Sequence, residues 1–145
     1  MPMKNLTLAV AAGAFAVAVL SAGCVPKPKQ DYSPEQVKEL DSLEEIMRVQ
    51  AQTADPQFNH IDQQSFTDVE YASIADAGRR LQVTAETLRT RHSQNRPPSF
   101  TTYATRLFEL SGELVTATQA KDVAKTSATL TGIRDTCRTC HKEHR

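Results

Sequence analysis

Residues 122–142 read DVAKTSATLTGIRDTCRTCHK, and two patterns are superimposed in them. One is structural: Val123, Ser127, Leu130, Ile133, Cys137 and His141 recur at intervals of three and four, the spacing of one face of an α-helix. The other is chemical. Cys137-Arg138-Thr139-Cys140-His141 is a C-x-x-C-H run, which in an exported chain reads as the covalent attachment site of a c-type haem. The two patterns agree, because residues three and four apart on a helix are surface neighbours. Cys137 and Cys140 then sit side by side, where each thiol can add across one vinyl group of the ring, and His141 falls beneath the iron as its proximal ligand.

Two other chemistries use the same residue types. A thioredoxin-like redox pair needs its cysteines at a helix N-terminus in a strand-helix-strand setting, where the dipole lowers a thiol pKa. Here the surroundings are helical and the motif sits near a helix C-terminus, where the dipole disfavours thiolate. A zinc site would draw on Cys137, Cys140, His141 and His144, but donors this close along one helix cannot easily surround a tetrahedral ion.

The beginning of the chain fits export. Lys4 precedes an apolar run from Leu6 to Leu20, and these 15 residues fall short of the roughly 20 that span a bilayer as a helix. Residues 1–23 therefore read as a signal peptide. Ser21-Ala22-Gly23-Cys24 resembles a bacterial lipoprotein signal, which implies a diacylated Cys24 and a membrane anchor; ordinary cleavage and an uncleaved anchor are the alternatives. Three cysteines are then fully used, one by lipid and two by haem thioethers. Export is also a requirement of the haem reading, because c-type attachment takes place outside the cytoplasmic membrane.

Residues 24–32, with Pro26 and Pro28, read as a flexible tether, and 33–145 as one domain. Beyond residue 23 there remain 16 Lys and Arg, Lys4 having gone from the total of 17, against 17 Asp and Glu; nucleic acid is not the expected partner. The domain reads as all-α, four helices in an antiparallel up-down bundle with covalent haem near the C-terminus. The first opens with a capping box, Ser33-Pro34-Glu35-Gln36, and runs to about Ala54 before Asp55-Pro56, with Val37, Leu40, Leu43, Met47, Ala51 and Ala54 inward. A second box, Thr67-Asp68-Val69-Glu70, opens the next, with Phe66 stapled on Tyr71 and Ile74, Ala77, Leu81, Ala85 and Leu88 inward as far as about Ser93. After the stop Asn95-Arg96-Pro97-Pro98, Ser99 is the expected cap of a third helix reaching Gln119, with Phe100, Tyr103, Leu107, Leu110, Leu114 and Ala117 on its core face. The fourth runs from about Asp122 to Lys142.

Helical throughout, with a haem motif closing the last helix and a basic residue at 145, residues 33–145 resemble a class II c-type cytochrome, the group of cytochrome c′ and its low-spin relatives. The family's usual aromatic before that basic position is His144 here. The resemblance implies a ring held inside the bundle, with Arg145 near its propionates. It also implies two functional branches. Low-spin members place a first-helix methionine on the iron and carry electrons, whereas cytochrome c′ leaves the sixth position open and binds nitric oxide or carbon monoxide. Met47, the only methionine beyond the signal, matches the first branch, and thioether ligation raises a haem potential. Leu43 over an open iron and His92 as ligand are the alternatives, because Met47 lies past the midpoint of the expected first helix.

Phe100 and Tyr103 are expected beside the ring, His60 in a solvated loop at the opposite end, and His144 in solvent. Arg79-Arg80 and Arg89-Thr90-Arg91 read as solvated faces or as docking sites for an acidic redox partner. No nucleophile-base pair, phosphate loop or metal-hydrolase motif occurs, so a periplasmic, membrane-anchored monohaem electron carrier is expected rather than an enzyme. Weak peroxidase-like activity would need an open iron and His92 as its acid-base group. Redox proteins are the expected partners, and a homodimer is an allowed assembly.

Overall fold

Both capping boxes close as expected: Ser33 with Gln36, and Thr67 with Glu70, exchange side-chain and backbone bonds at the starts of their helices. The computed structural model describes residues 31–144, and there all regular structure is helical: α1 (Pro34–Lys38), α2 (Leu43–Ala54), α3 (Asp68–Arg91), α4 (Pro98–Gln119) and α5 (Val123–His144), with a 3₁₀ turn at Asp55–His60. The stretch read as a signal peptide, Cys24 and most of the segment read as a tether lie outside the described residues, as does Arg145. No helix among the described residues is long and apolar enough to cross a membrane.

The single first helix expected through Ala54 is in fact two. Ser42 caps α2, its hydroxyl accepting from the Glu45 N–H at 3.3 Å, and the far end of α3 satisfies the carbonyls exposed by the break. Arg91 donates to Lys38 O and to Asp41 Oδ1, and His92 Nε2 donates to Leu40 O at 3.0 Å. The Lys38 and Leu40 carbonyls would otherwise be orphan acceptors of a broken helix end. The break also shifts the phase of α2: Ile46, Val49, Gln50 and Ala54 are buried, whereas Ala51, expected inward, is exposed.

Neighbouring helices alternate in direction. Gly78 of α3 faces Ser111 and Val115 of α4, Gly132 of α5 faces Leu110, and Gln50 of α2 bonds Thr84 of α3. Phe66 staples on Tyr71 edge to face, centroids 5.2 Å apart. Ser99 is not the cap of α4; that helix starts at Pro98 from Pro97, whose side chain has no group to offer a cap bond, and the Ser99 hydroxyl, already inside the first turn, lies against His144. Between α4 and α5, Lys121 adopts φ 52° and the Asp122 N–H reaches back to Ala117 O, a left-handed helix termination without glycine.

The apolar interior forms two clusters. One joins Ile74, Leu81, Ala85, Leu107, Leu110, Leu114, Leu130 and Ile133, with Cys137 at its edge. The other joins Ile46, Leu88, Phe100 and Ala104, with Leu43 and Met47 packed against it.

Candidate functional site

Where these clusters meet there is a narrow crevice of about 30 Å³, the room of about one water molecule. Met47 and Gln50 of α2 line one side, and Thr136, Cys137, Cys140 and His141 of α5 another. Leu88, Phe100, Tyr103, Ala104 and Leu107 complete an almost wholly apolar wall. Cys137, Cys140, His141, Met47, Phe100 and Tyr103 are thus brought together, whereas Leu43 and His92 do not line the space. Leu43 packs with the second cluster, and His92 is committed to the Leu40 carbonyl.

The helix break explains why Met47 reaches the crevice. Counted from Ser33, Met47 lies beyond the middle of a long helix; counted from Leu43, where α2 begins, it lies at the start of the second turn. Since α2 runs opposite to α5, that places Met47 level with the last turns of α5, which carry the motif.

Burial pushes the Cys137 thiol up to about 11, with Cys140 and Asp55 adding to the rise, and burial also raises Cys140. This direction is opposite to that of a redox dithiol. Among the described residues no three His, Cys, Asp or Glu side chains gather into a group able to hold a metal ion. The donors present are instead two neutral thiols on adjacent turns, an imidazole beside them and a thioether on the facing helix. Together with the apolar wall, that set fits a covalently held haem: two thiols for its vinyl carbons, and one nitrogen and one sulfur for its iron.

His144 is not in solvent. Its side chain is only 11% exposed, its Nε2 lies 3.1 Å from the Ser99 hydroxyl, and its ring meets Phe100 and Tyr103 edge to face at 5.7 and 6.0 Å. It therefore packs behind two rings of the crevice wall, as an aromatic residue would. Tyr103 donates its hydroxyl proton to Glu143 at 2.6 Å, a second tie between α4 and the motif helix. His60 is half-buried, against Phe66 and 3.3 Å from Gln63 Oε1, although it does lie near the opposite end of the helices.

The basic runs are self-neutralised. Arg80 pairs with Asp31 and Asp76, Arg79 with Asp76, Arg89 with Glu86, and Arg91 with Glu39 and Asp41. The residue missed by sequence reasoning is Gln50, a buried amide on the crevice wall. The overlooked sequence signal is Ser42-Leu43-Glu44-Glu45, a cap pattern that announces a new helix.

Comparison with known protein families, with curated proteins and with solved structures finds no match to this chain in any of the three.

Proposed function

We propose that this chain is a monohaem c-type cytochrome that carries electrons, resembling the low-spin class II group. In this reading α2, α3, α4 and α5 act as an antiparallel four-helix bundle, and α1 is a short overhang. Cys137 and Cys140 would hold haem c through thioethers, and His141 and Met47 would ligate its iron. The observation that carries the reading is that Met47 lines the same crevice as Cys137, Cys140 and His141 of the C-x-x-C-H motif. When bound, the group supplies the ferrous-ferric couple.

The chain's own residues do the rest. Phe100, Tyr103, Ala104 and Leu107 exclude water, which disfavours the more highly charged oxidised centre and so raises the potential, as does a thioether ligand. His144 and the Tyr103–Glu143 bond hold the motif helix against α4. The proposal extends to export into the periplasm, anchoring through lipid on Cys24, redox proteins as partners, and Arg145 near the propionates.

Protein produced in a bacterium competent for cytochrome maturation tests this. It should be coloured, keep its pigment in acidified organic solvent, and show a ferric near-infrared thioether-to-iron band that Met47→Ala abolishes. Colourless protein, or pigment that extracts, would refute the haem assignment. Covalent pigment with a high-spin spectrum and rapid carbon monoxide binding would refute Met47 ligation and favour a five-coordinate gas-binding protein.

A further inference from the structure

Gln50 is a polar side chain in an apolar place. It is 7% exposed, and its Nε2 lies 3.1 Å from Thr84 Oγ1 on α3. Thr84 is fully buried, and its own hydroxyl proton goes to the Leu81 carbonyl at 2.9 Å. A hydroxyl has one proton to give, so Thr84 can only accept from Gln50, and the orientation of the amide is thereby fixed. No other hydrogen bond between two buried side chains joins two helices among the described residues.

We infer that the Gln50–Thr84 bond is a positioning device, which fixes the rotation of α2 against α3 and so holds the Met47 thioether at the crevice. Met47 and Gln50 are three residues apart, hence neighbours on one helical face, and both line the crevice. The need for such a device follows from the brevity of α2. Its 12 residues are bounded by the break at Glu39–Ser42 and by the 3₁₀ turn, so no continuous longer helix sets its rotation. Arg91 and His92 secure the segment before it rather than the helix itself. Ile46 buries α2 against Leu88, Phe100 and Ala104, but apolar burial is non-directional. A hydrogen bond is directional, and breaking this one strands a buried donor.

The inference rests on Met47 as the sixth ligand, and the test separates the two ideas. Thr84→Val keeps the side chain's shape and removes the acceptor, whereas Thr84→Ser keeps the acceptor. In the haem-loaded protein, the near-infrared band and the high-spin fraction report ligation, and amide hydrogen exchange over residues 43–54 reports α2. Thr84→Val should raise the population without the methionine ligand about tenfold and speed exchange in α2, while Thr84→Ser should stay close to the parent protein on both. Gln50→Leu should reproduce Thr84→Val and serves if the latter fails to fold. An unchanged band and unchanged α2 exchange in folded Thr84→Val or Gln50→Leu would overturn the inference. A parent protein with covalent haem but no thioether band would refute Met47 ligation instead, and the exchange comparison would still decide whether the bond fixes α2.

Discussion

Replacing Gly78 with alanine should destabilise this protein, even though alanine is the better helix former by about 1 kcal/mol. Gly78 is buried in the middle of α3 where that helix crosses α4. A Cβ there would stand 2.9 Å from Val115 Cγ2, 3.1 Å from the Ser111 carbonyl oxygen and 3.6 Å from Leu114 Cδ2. Val115 is β-branched and stiff, and the Ser111 oxygen is backbone, so neither can yield unless α4 moves. Overpacking of this kind costs about 1–3 kcal/mol, which leaves a net loss of about 1 kcal/mol once helix propensity is credited. Gly112 provides the contrast. Its added Cβ would meet Gln82 Nε2 at 2.8 Å, but that is the far end of a flexible side chain that can swing away. Gly112→Ala should therefore gain up to about 1 kcal/mol from propensity. Urea unfolding followed by circular dichroism compares the two variants with the parent protein. If Gly78→Ala proves as stabilising as Gly112→Ala, the close approach of α3 and α4 does not limit packing and the reasoning fails.

Two further outcomes follow from titrating groups. The Thr67 backbone N–H, bonded at 2.7 Å, holds the Glu70 carboxyl below its ordinary value of 4.5. A lowered folded-state value means stability that is present above the unfolded value and lost as pH falls through the folded one. Glu70→Gln keeps the capping box, so it should flatten the acid limb of a melting-temperature profile below pH 4.5, and an unaltered limb would contradict the assignment. Tyr103 titrates above its ordinary value of 10.0, first because of its bond to Glu143 and then because of burial. Here the sign reverses: stability is present below the unfolded value and lost as pH rises through the raised one. Tyr103→Phe should remove that alkaline loss, and an ultraviolet titration that finds Tyr103 ionising at the ordinary value would dismiss the bond.

The long helices were legible because their apolar residues recur at the helical period over five turns or more, as Phe100, Leu107, Leu110, Leu114 and Ala117 do in α4. The first helix misled because its apolar residues recur in one unbroken phase from Val37 through Leu43 to Ala54. Only Ser42 and Glu45 signal the interruption, and the interruption persists because Arg91 and His92, some fifty residues later, bond the freed carbonyls. Ser99 and His144 misled together, since each has a common local role and each is instead satisfied by the other.

Local pattern along the chain was enough for the helical class and for the thiol and imidazole spacing on which the proposed haem attachment rests. Thiol spacing, the adjacent imidazole and the apolar period are local properties of the chain, readable wherever the segment lies. Only tertiary structure decided which side chain faces that motif. Met47, Leu43 and His92 were all eligible along the chain, and the choice depended on where α2 begins and how it is rotated, which distant partners on α3 control. A crevice between helices belongs to no single segment, so its lining follows from packing and not from local pattern.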